Sequence, residues 1–108
     1  MPSSKANKII FETVMKWEGV TSKPHRFGGT EYHCGSREIG HVHGDYLVDI
    51  PFPKKARDEI VHRKLAQPHH VLPNTGWVSC HLKQTDDVQK ALDLLRWSYD
   101  LVKQHREK

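Results

Sequence analysis

The spacing of apolar residues changes along the chain, and each change predicts a different kind of element. Over residues 4–18 the apolar positions are separated by three or four residues, which predicts an amphipathic helix. Its apolar stripe comprises Ile10, Val14 and Trp17. Ser3 or Ser4 is expected to cap the start of this helix, and Gly19 is expected to end it.

Residues 21–52 instead form short stretches that are separated by turn residues. Glycine-containing pairs at 28–29 and 44–45 predict turns, and the pair at 35–36 predicts a further turn or a bulge. The stretches between them predict an antiparallel meander of three or four strands: 24–27, Thr30–Cys34, Arg37–His43 and 46–52. In the last of these, alternate residues are apolar, and the opposite face carries Asp49.

The second half of the chain predicts a helix, a strand and a longer helix. Pro53 opens a helical pattern that continues to about Leu65. Residues 66–75 are expected to form a loop, because they contain two prolines. Residues 76–83 then alternate as a strand, and Thr85 is expected to cap a helix that runs to near the end of the chain.

These elements predict a single α+β domain over residues 1–108. An antiparallel sheet of four to five strands is expected to pack against helices, in the order helix–meander–helix–strand–helix. Hydrophobic residues make up 36% of the chain and charged residues 28%, so a small core and a polar surface are expected. No apolar run approaches the roughly 20 residues that cross a bilayer, and no secretory signal is evident. A cytoplasmic location without membrane contact is therefore expected.

Charge and cysteine content narrow the choice of partners and compartment only slightly. The net charge of +4 allows a nucleic-acid partner but does not require one, because the basic residues are scattered apart from the segments 53–57 and 103–108. Cys34 and Cys80 are the two cysteines, and neither belongs to a Cys-x-x-Cys pair. Both are expected to be reduced and buried in strands, with a disulfide between facing strands as the alternative.

Histidines cluster in two segments, residues 37–45 and 68–77, which together hold four of the nine histidines. His41 and His43 are two residues apart, so a strand would direct both rings to one face. Such a pair can share a metal ion with further ligands, for which the candidates are Glu38, Asp45, Asp49, His33, His69, His70 and His81. However, no motif such as His-Glu-x-x-His fixes a third ligand, so no metal and no other cofactor are expected. Alternatively, these histidines lie on an exposed strand face and bond to neighbouring groups.

Proton transfer is the chemistry that these residues favour, because an imidazole beside a carboxylate gains basicity and a fixed tautomer. The candidate catalytic residues are His41, His43, Asp45 and Asp49. The candidate substrate-binding residues are His69, His70, Trp77 and Arg37. Trp77 could instead cover the first helix, and Arg37 could meet a carboxylate or solvent. Nucleophilic catalysis and phosphate binding by a glycine-rich loop are not supported, since neither motif is present.

Six segments, taken as a set, resemble the small luciferase-type domain family: residues 27–31, 37–45, 47–53, 68–73, 76–79 and 94–102. The resemblance covers roughly residues 15–102. It implies a domain found in uncharacterised bacterial and fungal proteins and similar to a region of fungal luciferases. Those enzymes oxidise a hispidin-type luciferin with molecular oxygen and need no metal or flavin. The residues that fall in matching segments and so become site candidates are His41, His43, Asp45, Asp49, His69, His70 and Trp77.

A weaker resemblance links residues 98–102 of the closing helix to the MmcQ/YjbR-type domains, a family associated with a winged, DNA-binding-like fold. Two functions are therefore expected as alternatives. The first is a small-molecule-binding domain that acts as a metal-free, cofactor-free oxygenase or acid–base enzyme on a phenolic or enolic substrate. The second is a non-catalytic binding module for nucleic acid or a protein partner. A pocket that gathers the histidines would favour the first, and a convex basic face with dispersed histidines the second.

Overall fold

A six-stranded antiparallel sheet organises the residues that the computed structural model describes, which are 5–25 and 28–106. Its strands are β1 (Val20–Pro24), β2 (Thr30–Cys34), β3 (Arg37–His43), β4 (Leu47–Pro51), β5 (Gln67–Pro68) and β6 (Trp77–His81), and they lie side by side in the order β1-β2-β3-β4-β6-β5. The helices of this part of the chain are α1 (Ala6–Val14), α2 (Lys54–His62) and α3 (Thr85–Arg106). The predicted α+β class is confirmed, and the bounds of β2 and β3 are those expected.

Two strands differ from the expectation. The first strand is Val20–Pro24 and not 24–27, and residues 26–27 lie outside the described part of the chain. The sheet also has one strand more than the four to five expected, because Gln67–Pro68 pairs with β6 where a loop was predicted. Proline has no amide hydrogen to donate and is tolerated in a strand chiefly at a sheet edge, which is where β5 lies.

Helix α1 ends at Val14, well before Gly19. The chain turns tightly after it, because the Trp17 N–H donates to the carbonyl oxygen of Val14 at 3.0 Å. Trp17 then packs against Tyr99 of α3, with ring centroids 5.3 Å apart. Trp17 therefore joins the core from a turn, although its spacing predicts a helix. The caps expected at residues 3–4 lie outside the described part of the chain.

The start of α3 is capped by a different side chain from the one expected. Thr85 lies within the first turn, and the carboxylate of Asp87 reaches back to accept the N–H groups of Lys83 and Gln84, both at 2.9 Å. An acidic side chain in the first turn can satisfy amides that no helical bond reaches. The predicted extent of this helix, to near the end of the chain, is confirmed.

The hydrophobic core lies on one side of the sheet, where α3 packs across the central strands and against α1. Its largest fully buried side chains include Ile10, Val14, Tyr32, Ile39, Val48, Ile50, Val78 and Leu95. Cys34 and Cys80 are buried thiols, as predicted, and burial raises the pKa of Cys80 to about 12. Among the described helices, none has both the length and the apolar character needed to span a membrane.

Strand β3 contains a bulge that changes which of its side chains project from the side of the sheet away from the core. Tyr32 and His33 of β2 pair with Gly40 and Glu38, so that Ile39 is an extra residue in β3. An extra residue shifts the alternation of side chains by one position. Glu38 therefore projects to the side of the sheet away from the core. We call this side the histidine face; its strand residues include Glu31, Glu38, His41, His43, Asp49 and Ser79.

Tyr32 permits a first prediction about stability. Its side chain is fully buried, and among the described residues its hydroxyl has no hydrogen-bond partner. Burying a hydroxyl without a partner costs free energy, so Tyr32→Phe is expected to leave the free energy of unfolding unchanged or raise it by about 1 kcal/mol. Urea denaturation measures this. A loss of more than about 1 kcal/mol would contradict the prediction, since it would mean that the hydroxyl is bonded.

Candidate functional site

Asp49 lies at the centre of the histidine face. The register of the sheet places it directly between His41 of β3 and Ser79 of β6, and side chains opposite one another on neighbouring strands are in contact distance. Asp49 is almost fully buried, with 1% of its surface exposed. The Ser79 hydroxyl donates to Asp49 Oδ1 at 2.6 Å. One carboxylate oxygen is thus fixed by a short hydrogen bond, and the other points toward the imidazoles.

Three imidazole nitrogens among the described residues lie around the second oxygen, Asp49 Oδ2. His41 Nε2 and His43 Nε2 are each 3.2 Å from it, and His69 Nε2 is 3.4 Å away. The alternation of β3 directs His41 and His43 to one face, as their spacing predicts. His69 comes from the segment after β5. Side chains distant in sequence therefore meet at one point on the sheet, and we call Asp49 and these three histidines the histidine cluster.

Carboxylates hold the outer nitrogens of two imidazoles. His41 Nδ1 lies 2.7 Å from Glu38 Oε2, a contact that the bulge in β3 makes geometrically available. His25 Nδ1 lies 2.8 Å from Glu31 Oε2, and the His25 ring stacks on the His41 ring with centroids 4.0 Å apart. Glu31 also contacts His33 Nε2 at 2.9 Å. The His41 ring is therefore held at both nitrogens, by Glu38 and by Asp49. The His25 ring is held by Glu31 and by stacking on His41.

His69 is held differently, by the backbone of its own segment. Its Nδ1 accepts the N–H groups of Val71 and Leu72 at 3.1 and 3.0 Å. A nitrogen that accepts two amide hydrogens carries no proton itself, so the ring proton of His69 is on Nε2 and points to Asp49 Oδ2. His70 stacks on His69 with ring centroids 4.3 Å apart and is exposed to solvent.

Charge is separated strongly within the cluster. Burial alone would lower the pKa of His41, but its hydrogen bonds to Asp49 and Glu38 outweigh burial and raise the pKa to about 9. Burial would likewise raise the pKa of Asp49, but hydrogen bonds from His41 and Ser79 lower it to about 2. At neutral pH the free protein therefore holds a His41 imidazolium against an Asp49 carboxylate.

The neighbouring histidines show the opposite behaviour. Burial lowers the pKa of His43, and the charge on His41 lowers it further. Burial also lowers the pKa of His69, where the pull of Asp49 only partly compensates. Both rings are therefore uncharged at neutral pH. The cluster combines one cationic imidazole with two neutral ones, so it offers both proton donors and proton acceptors.

An apolar surface adjoins the histidine cluster. The Trp77 ring lies 5.2 Å from the His41 ring and 6.1 Å from the His69 ring, measured between centroids. Of the two alternatives raised for Trp77, the structure places it beside the cluster. Val71 and Leu72, in the segment that holds His69, are 68% and 45% exposed. Ligand sites combine apolar and aromatic side chains with a few polar groups that converge on one point, and Trp77 and the histidine cluster share this combination.

Two residues expected at the site lie elsewhere. Asp45 accepts the Asn7 N–H at 2.8 Å, so it anchors the start of α1. Arg37 is exposed and lines a cavity of about 510 Å³ near the end of α3, together with Phe52, Leu101 and His105. Neighbouring residues of a strand project to opposite faces of the sheet. Glu38 belongs to the histidine face, so Arg37 projects away from it.

Several residues of the site were not assigned to it from the sequence. Ser79 falls within the strand predicted over residues 76–83, but its bond to Asp49 depends on a strand register that no local pattern encodes. His25 and Glu31 lie on either side of the turn at 28–29, which is the one sequence signal that could have paired them. The described residues also include three sets whose potential metal-binding atoms all lie within 4.8 Å of one another: His25, His41 and His43; Asp49, His69 and His70; and Glu31, His33 and Glu38.

Comparison with known protein families identifies a domain within the chain. The family model described as the Luciferase domain matches residues 36–98, which is more than half of the chain. The matched segment contains Glu38, His41, His43, Asp49 and His69, and it also contains Ser79 and Trp77. No curated protein and no solved structure matches the chain.

Proposed function

The chain belongs to the luciferase domain family, and from that membership and the histidine cluster we propose that it is an oxygenase-type enzyme for a phenolic or enolic small molecule. The observation that carries this proposal is the convergence of three imidazole nitrogens on one oxygen of the buried Asp49. A single hydrogen-bonded cation would be enough to balance a buried carboxylate. Several imidazoles, drawn from a strand and a distant segment, point instead to chemistry.

In this proposal the oxygen of the substrate's phenol or enol group binds at the histidine cluster. The rest of the substrate lies over Trp77 and the apolar side chains of Val71 and Leu72. His41 and His43 contact the substrate oxygen, and Asp49 orients both rings. The O–H bond of the phenol or enol breaks, and its proton passes to His43, whose ring is uncharged because burial and the charge on His41 lower its pKa. The resulting anion is electron-rich, and its carbon can form a bond to molecular oxygen, which is the oxidant and is reduced to a peroxide that takes the proton back from His43. The positive charge on His41 stabilises this anion as it forms.

The alternative function is a binding module for nucleic acid or a protein partner. In such a module we expect the histidines to be dispersed over a convex basic face. They are gathered around Asp49 instead, which supports the small-molecule proposal. The basic residues give no comparable cluster in the sequence. The cytoplasmic location and the absence of a cofactor stay predictions.

Oxygen consumption tests the proposal. The purified protein is mixed with a hispidin-type phenolic pyrone, and dissolved oxygen is followed with an electrode. We expect consumption by the wild type and a decrease of at least about 100-fold for His43→Ala, because general acid–base groups typically contribute this much. The matched control is His62→Ala, an exposed histidine on α2, which should retain the full rate.

Two results would overturn the proposal. One is an equal rate for His43→Ala and the wild type at equal folded concentration, checked by circular dichroism. The other is the lack of any oxygen consumption across a panel of phenolic and enolic compounds, together with a thermal shift caused by short DNA. The second result would favour the binding module.

A further inference from the structure

The contacts around the histidine cluster fall into two classes of length. Charge-assisted N–H···O bonds between imidazole and carboxylate are about 2.7–2.9 Å long. The outer contacts have this length: His41 Nδ1 to Glu38 is 2.7 Å, and His25 Nδ1 to Glu31 is 2.8 Å. The inner contacts to Asp49 Oδ2 are longer, at 3.2, 3.2 and 3.4 Å. The inner nitrogens are thus close to the carboxylate without being at the distance that a strong hydrogen bond prefers.

The longer distances match a different geometry. A transition metal ion binds imidazole nitrogen and carboxylate oxygen at about 2.0–2.2 Å, and two ligand atoms of a tetrahedral ion are then about 3.3–3.6 Å apart. The separations of His41 Nε2 and His43 Nε2 from Asp49 Oδ2 are just below this range. Each of these two nitrogens therefore lies nearly at ligand spacing from Oδ2, and the ligand atoms of His41 and His43 lie within 4.8 Å of each other.

The partners of the cluster also fit the surroundings of a metal ion. A metal-binding histidine usually donates its other ring N–H to a carboxylate or carbonyl group, which fixes the tautomer and the direction of the ligating nitrogen. Glu38 does this for His41, and Glu31 is placed to do it for His25. Ser79 holds Asp49 Oδ1 and so directs Oδ2 toward the imidazoles.

His69 is excluded from direct ligation by its own hydrogen bonds. Its Nδ1 accepts two backbone amides, so its Nε2 carries the proton and has no lone pair for a metal. It can instead donate to Asp49 Oδ2 and support the carboxylate from outside. The ligand atom of His25 lies within 4.8 Å of those of His41 and His43, which makes His25 the candidate for a fourth position.

We propose that His41, His43 and Asp49, completed by His25, bind one divalent first-row transition metal ion. Two or three imidazoles and one carboxylate favour iron, cobalt, nickel, copper or zinc over magnesium and calcium, which prefer oxygen ligands. The ion would occupy the point where the proposed function places the substrate oxygen, and its charge would stabilise the same anion. This inference departs from the expectation of a metal-free site. It does not depend on the proposed activity, because binding is measured directly.

The test uses the untagged full chain after treatment with a chelator and dialysis. Cobalt(II) is titrated in, and its visible ligand-field absorption is followed; zinc binding is then measured by calorimetry. We expect one ion per chain, a zinc dissociation constant of about 1 µM or below, and no comparable binding of magnesium. His43→Ala should weaken binding by at least about 100-fold, and Glu38→Gln by about 10–100-fold because it removes the partner of a ligand.

The controls separate this site from other histidines. His62→Ala and His81→Ala alter exposed histidines outside the cluster and should bind zinc like the wild type. The inference is overturned if cobalt gives no ligand-field spectrum, or if His43→Ala, folded by circular dichroism, binds zinc as tightly as the wild type. Loss of binding in His70→Ala but not in His43→Ala would also overturn it, by moving the ion to the set with Asp49 and His69.

The two proposals fail in different ways. Suppose that the metal-free protein, prepared with a chelator, consumes oxygen at the full rate and binds neither zinc nor cobalt. The proposed metal site is then wrong, and the proposed function stands. If the protein binds one ion per chain through His43 but oxidises no phenolic or enolic compound, the metal site stands and the proposed function is wrong.

Discussion

Asp49→Asn is expected to lower the oxygen consumption by at least about 100-fold and to destabilise the fold by about 3 kcal/mol. The amide has almost the same shape as the carboxylate but no charge, so the buried His41 imidazolium loses its partner. Removing one member of a buried ion pair costs about 3–5 kcal/mol, because the remaining charge is left uncompensated. Because Glu38 also contacts His41, the lower end of this range is expected. Urea denaturation and the oxygen electrode measure the two effects.

The loss of stability should depend on pH in a defined way. The pKa of Asp49 is lowered to about 2 in the folded protein, so its contribution is complete above its usual pKa near 3.8 and is lost as the pH falls toward 2. The pKa of His41 is raised to about 9, so its contribution is complete below its usual 6.5 and is lost as the pH rises through 9. In the metal-free protein, Asp49→Asn should therefore lower the free energy of unfolding most near pH 5–6 and less above pH 9.

A matched substitution separates charge in the cluster from charge in general. Asp93 lies on the exposed side of α3, where it accepts a hydrogen bond from Gln89. Asp93→Asn should change the free energy of unfolding by less than about 0.5 kcal/mol and leave the oxygen consumption unchanged. If Asp49→Asn is equally mild at pH 5.5, the buried ion pair is not formed and our description of the cluster is wrong.

Gly76→Ala should be among the most destabilising single changes in the chain. A Cβ at this position would overlap the carbonyl oxygen of Phe52 and lie 3.2 Å from its carbonyl carbon. These are backbone atoms that cannot rotate away, and the Phe52 N–H donates to the Gly76 carbonyl oxygen at 3.0 Å. Relieving the overlap separates the ends of β4 and β6, with an expected cost of about 3 kcal/mol or more. Thermal denaturation should show a decrease in Tm of more than about 10 °C.

Gly28→Ala is the control for Gly76→Ala. Gly28 has a φ of +85°, but an added Cβ would meet no atom within 4 Å. Only the strain of a left-handed conformation remains, at about 1–2 kcal/mol. If the two variants lose the same stability, backbone overlap at Gly76 is not what makes that position intolerant.

Periodicity predicts the parts of this fold that depend on one segment at a time. The bounds of β2 and β3 follow from alternation between turn residues, and the length of α3 follows from its apolar stripe. The same alternation places His41 and His43 on one face. These features depend only on neighbours within a few residues, so a single sequence contains the information.

The rest of the site depends on relations that no local pattern contains. Glu38 and His41 are three residues apart, which in a regular strand would put them on opposite faces. The extra residue at Ile39 reverses that relation. His69 reaches Asp49 only because the short strand β5 pairs with β6. Asp45 shows the converse, since its proximity in sequence to His43 suggested a partnership, whereas it binds the start of α1.

Whether a small molecule binds at Asp49 can be mapped on the folded chain by nuclear magnetic resonance. Amide chemical shifts of the ¹⁵N-labelled protein are recorded while a hispidin-type phenolic pyrone is added. If the histidine cluster is the ligand site, the largest shifts occur at residues 41–49, 69–72 and 77–79, around Asp49. Shifts confined to the cavity lined by Arg37, Phe52, Leu101 and His105, with none around Asp49, would contradict it.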